Sequence, residues 1–355
     1  MSKLSFDDYL CRMRTTNPDC MRKLFLYVTT SCCLSCRHCF LSCNSSIDGG
    51  MMEVGKALML LDFLQTRGFR MVTVTGGEPL EHPDLVRILA AATSRGYATR
   101  LNTCGAYPLD SIPMAVLRSL DVVALSLDGA DSETHDWIRG TGCFESVLRN
   151  LDFLRRSSLQ SKCTTTVNTR NLSQIPAIIE LCGSYGVREL DIHVMSLNGT
   201  AQGIAEYEVD STSWLAARER LSALDELPVG LSVRYPPLYI TDEEVPLRKH
   251  WLHCRGMSAD GISVLPSGSC HLCTLYLDSA KSFASTSDRD GLVPLLRGDR
   301  QQWQDFTETE RDYGDIADGG SGPPRSCRVQ RTLSAQAEAN PSHINICRFV
   351  REVRT

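Results

Sequence analysis

The feature that most restricts this chain is a unit that recurs from residue 24 to about residue 205: a short apolar run, a polar or glycine-rich turn, then an amphipathic stretch. Runs that read as strands lie at 24–29 (LFLYVT), 71–75 (MVTVT), 98–102 (ATRLN), 121–127 (DVVALSL), 162–168 (KCTTTVN) and 190–195 (LDIHVM). Between them, apolar residues return at helical spacing over 53–67, 83–95, 145–156 and 174–185. Gly68, Gly96 and Gly186 each close such a stretch just before the next strand, where a left-handed helix cap belongs. Strand and helix in alternation imply a parallel sheet with right-handed crossovers. Six units fall short of the eight-stranded closed barrel. The fold class is therefore α/β, an open, partial (β/α)6 barrel.

After about residue 205 the repeat stops. Residues 212–225 read as helical, and 258–273 (SADGISVLPSGSCHLC) as a hairpin turning at "PSG". The stretch "DGGSGPP" (318–324) reads as a loop or linker. The expected division is an N-terminal lead over 1–22, a barrel core over 23–205, a connecting helical segment over 206–240 and a smaller C-terminal domain over 241–355. A length of 355 residues suffices to bury a core in such an arrangement. The net charge of -5 gives no broad electrostatic grip on nucleic acid or an anionic membrane. The first twenty residues lack an apolar h-region, and no stretch approaches the ~20 apolar residues of a membrane span. A cytoplasmic location, with neither nucleic acid nor membrane as partner, is the expectation.

Sixteen cysteines are many for such a compartment, where clustered thiols serve as metal ligands or catalytic groups more often than as disulfides. The isolated Cys11, Cys20, Cys163 and Cys182 read as small buried hydrophobes. "TTSCCLSCRHCFLSC" (29–43) is different, with five cysteines in two overlapping frames. Cys33, Cys36, Cys39 and Cys43 give C-x2-C-x2-C-x3-C, the spacing of ferredoxin clusters that only carry electrons. Cys32, Cys36 and Cys39 give C-x3-C-x2-C, three ligands that leave one iron of a four-iron cluster open. In parallel α/β folds ligands bind at the carboxyl ends of the strands. The cysteine loop follows the first strand, "TGGEPL" (75–80) follows the second, and Asn102, Ser126, Asp128 and Asn168 end the third, fourth and fifth. A ferredoxin-like carrier or simple metal-binding module accounts for the cysteines but not for this polar rim.

Cys32-x3-Cys36-x2-Cys39 followed by Phe40, together with Gly76-Gly77-Glu78-Pro79 at the next strand end, resembles the radical S-adenosylmethionine (SAM) enzyme superfamily over roughly residues 22–200. The resemblance implies that the three thiolates hold a 4Fe–4S cluster whose fourth iron is chelated by the amino and carboxylate groups of SAM. An external reductant such as flavodoxin or ferredoxin is implied as well. By position, Gly76, Gly77 and Glu78 lie at the methionine amino group, Ser126 and Asp128 match the ribose-binding pair, and Asn168 matches a methionine or ribose contact. Phe40, Asn102 and Met195 are further cofactor-binding candidates, Met195 at the adenine beside Val194.

Cys254-x13-Gly268-x4-Cys273 resembles the opening of the auxiliary-cluster extension (SPASM or twitch) in one branch of this family. The dense cysteine run of its long form is missing, so the shorter form is expected, with a second 4Fe–4S cluster on Cys254, Cys273, Cys327 and Cys347. Cys270 is an alternative ligand, and four thiolates also suit zinc. Strand faces alternate: Val123, Leu125, Leu127, Ile192 and Val194 belong on the face packed by helices. Thr73, Thr75, Thr164 and Thr166, with Arg100, Asp191 and His193, then line the lumen. So polar a lining suggests a small, hydroxyl-rich substrate, a sugar or sugar nucleoside of antibiotic biosynthesis. Arg100 would pair with a substrate carboxylate and His193 would move a proton, with Asp191 a further catalytic candidate. Dehydrogenation, epimerisation or decarboxylation would suit these groups, and similarity extends to cytosylglucuronate decarboxylases. Maturation of a ribosomal peptide is the alternative. Only about twenty-three residues precede the first strand, so a fused leader-binding domain is not expected there, while a separate partner protein stays open.

Overall fold

The computed structural model describes residues 22–44, 50–66, 68–195, 197–224, 226–235, 261–271, 284–285 and 352–354. Its first six strands are β1 (Arg22–Thr29), β2 (Phe69–Gly76), β3 (Ala98–Thr103), β4 (Val122–Ser126), β5 (Ser161–Val167) and β6 (Glu189–Val194). The intervening helices are α1 (Val54–Gln65), α2 (Leu85–Ser94), α3 (Met114–Leu117), α4 (Ser132–Arg139), α5 (Cys143–Arg156) and α6 (Ile175–Ser184). All six expected strands form, and each pairs in parallel with the next. Gly68, Gly96 and Gly186 take φ values of 84°, 78° and 68°, ending helices as their positions suggest.

The helices form because one stripe of each is apolar at the spacing a sheet can cover. α1 buries Ala57, Leu60, Leu61 and Leu64, and α2 buries Leu85, Ile88, Leu89 and Ala92. α6 repeats the pattern with Ile175, Ile178, Ile179 and Cys182. They meet Leu24, Leu26, Val72, Val74, Leu101, Val123, Leu125, Leu127, Ile192 and Val194 in one core. Each such side chain contributes about 1.5–3 kcal/mol by leaving water. Cys163 and Cys182 lie fully buried within it, as small apolar groups.

The parallel repeat runs one unit further than its sequence pattern. α7 (Ser211–Ser222) leads to β7 (Ser232–Tyr235), which pairs in parallel with β6. Only four residues long and centred on an arginine, β7 lacks the apolar run that marks the other strands. The expected hairpin forms as β8 (Gly261–Val264) and β9 (Ser269–His271) and joins the barrel sheet. β8 lies parallel to β1, with Leu24 opposite Ile262 and Leu26 opposite Val264. Two short strands, β10 (Ala284–Ser285) and β11 (Glu352–Arg354), complete the order β10-β9-β8-β1-β2-β3-β4-β5-β6-β7-β11. Among the described residues, no helix is long and apolar enough to cross a membrane.

Opposite the helix-packed face, the lower lumen between β5 and β7 is filled by charge. Lys162 is fully buried and bonds both Glu189 and Asp191. The Arg234 guanidinium meets Asp191 through Nε at 2.8 Å and also bonds Glu189. Burial, and then the Arg100 and Arg234 charges, push the Lys162 ammonium well below its ordinary range, while Asp191 works against that shift. The network holds because each carboxylate has more than one cationic partner, without which desolvation would dominate. Lys162→Met should lower stability by about 3–5 kcal/mol, because it leaves two buried carboxylates on one guanidinium. Adding Glu189→Leu to it should recover most of that loss; urea midpoints at an unchanged slope provide the measurement.

Candidate active site

The carboxyl ends of β1 to β6 form a rim, and the cysteine loop crosses it. The loop is fixed mainly through its backbone. Ser31 O accepts the Glu78 N–H at 2.8 Å, and Thr29 O accepts the Gly77 N–H at 2.7 Å. A Cβ on Gly77 would sit 2.0 Å from Ser31 O, so only glycine permits this approach. On the other flank, Thr200 N–H donates to Cys39 O at 2.9 Å and its hydroxyl to Cys36 O at 2.9 Å. The preceding Gly199 has φ 60°, and a Cβ there would lie 2.3 Å from Cys39 O. Thus the loops after β2 and β6 grip the cysteine loop from two sides.

A third grip comes from α4. Arg37, between Cys36 and Cys39, donates its backbone N–H to Ile138 O at 2.9 Å and its Nε to Trp137 O at 2.8 Å. Its guanidinium carbon lies 4.9 Å from the Trp137 ring centroid, and that of Arg170 lies 4.5 Å away. His38 turns inward, its Nε2 2.8 Å from Asp128 Oδ2. Arg139 Nε donates to the same oxygen at 2.5 Å, and the Thr166 N–H donates to Oδ1 at 2.6 Å. Burial alone would raise the Asp128 carboxyl; the Arg139 and His38 charges outweigh it and hold the group below the usual carboxylate range.

Asp128 therefore fastens loop, helix and sheet together. This differs from the expected place beside a ribose, since both of its oxygens are engaged within the chain. Glu78 is also turned inward. Its oxygens accept from Leu80 N–H at 3.0 Å, the Thr103 hydroxyl at 2.8 Å and Cys104 N–H at 2.8 Å. Burial pushes its carboxyl up. It ties the turn after β2 to the end of β3. His38, Arg139, Thr103 and Cys104 were not singled out by the sequence pattern, because their importance depends on contacts across the rim. Only the position of His38 between two clustered cysteines hinted at it.

The remaining candidates fall as follows. Gly76 and Gly77 lie against the cysteine loop, and Asn102 and Ser126 are partly exposed at the strand ends. Asn168 is buried, its Oδ1 accepting from the Arg170 N–H at 2.9 Å, while its Nδ2 has no partner among the described residues. Phe40 packs with Tyr27 and Leu265, and Met195 with Ala201 and Ile204. In the lumen, Arg100 Nε donates to Asn102 Oδ1 at 2.7 Å, and partly exposed His193 lies with Nε2 3.9 Å from Asp191 Oδ2. Asp191 belongs to the ionic floor. Cys254, Cys273, Cys327 and Cys347 lie outside the described residues, as does the 318–324 stretch. Cys270 is enclosed in the apolar core, and burial pushes its thiol up to about 12.

Three thiols are the donor chemistry an iron–sulfur cluster takes, although among the described residues no group of three or more His, Cys, Asp or Glu is already placed to hold a metal ion. Cys32, Cys36 and Cys39 share one loop, and ligation requires thiolate. Hydrogen bonds from the Cys104 and Cys43 thiols bring Cys32 down to about 3, and one from Cys43 brings Cys39 to about 6. Burial sends Cys36 up to about 12 despite nearby Arg139. The unpartnered Asn168 Nδ2 provides a donor for a ligand on the rim.

The site is thus a three-thiol loop across the carboxyl rim of an open parallel barrel. Residues 26–182 match the family model described as the radical SAM superfamily. An AdoMet-dependent heme synthase of Methanosarcina barkeri is 33% identical over 190 residues, 53% of this chain and 54% of that protein. A mycofactocin maturase of Mycobacterium tuberculosis is 28% identical over 222 residues, 58% of this chain and 56% of its own. The aligned parts thus span about half the length of these relatives. The fold is similar to that of Streptococcus suis SuiB bound to S-adenosylmethionine, with a TM-score of 0.69 at 14% identity over 92% of this chain and 77% of that one. The family implies a 4Fe–4S cluster and SAM as cofactors.

Asp128→Asn should cost about 3–5 kcal/mol at neutral pH by leaving the Arg139 guanidinium buried without its counter-charge. A carboxyl held below its unfolded value of about 3.9 contributes stability above that pH and loses it as pH falls through the folded value. The variant's acid unfolding curve should therefore be flatter than the wild type's below about pH 4, measured by circular dichroism.

Proposed function

We propose that this chain is a radical SAM enzyme in which Cys32, Cys36 and Cys39 hold the radical-generating cluster. The observation that carries the reading is the three-thiol loop pinned by Gly77 at the carboxyl end of the parallel sheet. Cys32, Cys36 and Cys39 would hold the cluster, which would supply the electron for reductive cleavage of SAM and so the radical that takes hydrogen from the substrate. The protein's own residues bind and orient. Gly76 and Gly77 allow close backbone approach, Asn168 offers its unpartnered amide, and Asn102 and Ser126 present polar groups at adjacent strand ends. Asp128 and Glu78 position these elements through the contacts described above. His193 is available in the lumen to hold or move a proton.

For the substrate, the similarity to mycofactocin maturase favours maturation of a ribosomal peptide over the sugar reading. The argument for a hydroxyl-rich ligand also loses part of its force. Lumen groups that suggested it satisfy one another: Asp191 with Lys162 and Arg234, and Arg100 with Asn102. A sugar or sugar nucleoside remains the second reading, supported by the partly exposed hydroxyls of Thr73, Thr164, Thr166 and Ser126. A second cluster on Cys254, Cys273, Cys327 and Cys347 completes the proposal, with flavodoxin or ferredoxin as reductant.

Anaerobically reconstituted protein with dithionite should release 5′-deoxyadenosine, measured by chromatography. Cys32→Ala, Cys36→Ala and Cys39→Ala should each abolish it, whereas Cys33→Ala should not. Peptides encoded beside the gene should stimulate release several-fold. Stimulation by nucleoside sugars instead would reverse the substrate assignment.

A further inference from the structure

The cysteine loop holds more thiols than the proposed cluster requires, and two of them touch. Cys39 and Cys43 are both partly buried, with their sulfurs 3.6 Å apart. One turn brings them together: the Ser42 N–H donates to Cys39 O at 3.4 Å, and Ser42 takes a left-handed φ of 46°. Both sides of the turn are held. Before it, the Thr200 N–H donates to Cys39 O at 2.9 Å. After it, Asn44 Oδ1 accepts the Cys32 N–H at 3.0 Å, and Asn44 Nδ2 donates to Cys32 O at 2.7 Å. The Asn44 backbone N–H adds a bond to Thr30 O at 3.2 Å, and its φ of 67° is left-handed as well. Such backbone in non-glycine residues costs of order 1–3 kcal/mol each and persists where the surroundings fix it.

A disulfide places its sulfurs about 2.0 Å apart. From the 3.6 Å contact, each sulfur has to move by less than about 1 Å to reach that length. The other thiols are less free to pair. Cys36 donates to Arg139 O at 3.9 Å. Cys104 bonds the Cys32 and Cys33 thiols, but its backbone is tied to Glu78 Oε2 at 2.8 Å while Cys32 is tied separately to Asn44. Cys43 also bonds the Cys32 thiol, yet closing that pair spans the whole loop, whereas Cys39 and Cys43 share one turn.

We propose that Cys39 and Cys43 form an oxidation site, a reversible disulfide made when the loop meets a hydroperoxide. The oxidant takes two electrons from the pair. One thiol gains an oxygen as sulfenic acid, and the hydroperoxide leaves as water or an alcohol. The second thiol then displaces that oxygen as water, and the S–S bond forms. An external dithiol restores both thiols by exchange and is itself oxidised to a disulfide. The bond needs no metal; only its consequence rests on the radical SAM reading above. Cys39 in a disulfide has no thiolate for a cluster, but it is also shielded from the sulfinic acid that no dithiol reverses. Cluster loading can then resume after reduction.

The test uses the full chain, purified with a chelator and treated with hydrogen peroxide after the reductant is removed. Remaining thiols are alkylated and the tryptic peptides weighed. Trypsin releases residues 38–56, whose cysteines are Cys39 and Cys43 alone, while Cys32, Cys33 and Cys36 fall on 24–37. In wild type, 38–56 should lose both labels and regain them after dithiothreitol. The bond should form several-fold faster in the folded chain than in urea. Cys43→Ala and Cys43→Ser should each leave Cys39 as sulfinic acid, and iron bound on later reconstitution should fall several-fold below wild type treated alike. A disulfide joining 24–37 to 38–56 would overturn the proposal. So would equal rates in urea, or a 38–56 peptide still doubly labelled once the exposed Cys33 is oxidised. If the disulfide forms and reverses but the reduced chain takes up no iron, the radical SAM reading fails and the oxidation site stands.

Discussion

The site depends above all on one carboxylate taken out of water. A buried anion must be fully bonded, or it reverts to its neutral form or destabilises the fold. Asp128 meets that demand with His38 from the cysteine loop, Arg139 from α4 and a backbone amide of β5. Three elements remote in sequence become mutually dependent. Arg139 lies one residue beyond Ile138, whose carbonyl accepts from Arg37, so the same helix grips the loop twice. The Asp128 N–H reaches His135 Nδ1 at 3.1 Å, adding a link to that helix. Burial, followed by the Arg139 charge, brings His135 down to about 4, so it accepts this bond as a neutral ring across the neutral range.

Around that anchor, position is set by backbone rather than by the thiols. Carbonyls of Ser31, Cys36 and Cys39 are each claimed by a neighbouring loop. Contacts of this kind allow the side chains to differ while the path of the loop stays fixed, which suits a site whose ligands must all face one way. They also explain why glycine is needed at 77 and 199: a carbonyl cannot be approached so closely past a Cβ. Arg37, which ties the loop to α4, and Arg170 stack on Trp137 where the loop meets the surface.

The fold was legible in the sequence wherever burial is periodic. Leu60, Leu61 and Leu64 or Ile178, Ile179 and Cys182 announce a helix because one face meets a sheet. The short β7 was not, because Ser232 and Arg234 are buried through polar contacts, and Arg234 does so as part of an ionic network. The same limit applies to the site. Spacing along the chain identified the cysteines and the glycines, whose roles depend on near neighbours. It did not reveal that Glu78 and Asp128 turn inward, since most of their partners lie on other elements, up to 90 residues away. A carboxylate at a strand end reads as a ligand contact until those partners are known.

The ionic floor between β5 and β7 has a chemical consequence beyond stability. A carbon radical is quenched most readily by weak bonds to hydrogen, such as thiol S–H and the tertiary C–H of leucine or valine. Ammonium and guanidinium N–H bonds are strong, and carboxylates carry no hydrogen to give. Lys162, Glu189, Asp191 and Arg234 thus line this part of the lumen with functional groups that are poor hydrogen-atom donors. A base of fixed charges presents functional groups with fewer easily abstracted hydrogens than a hydrocarbon core of the same volume would.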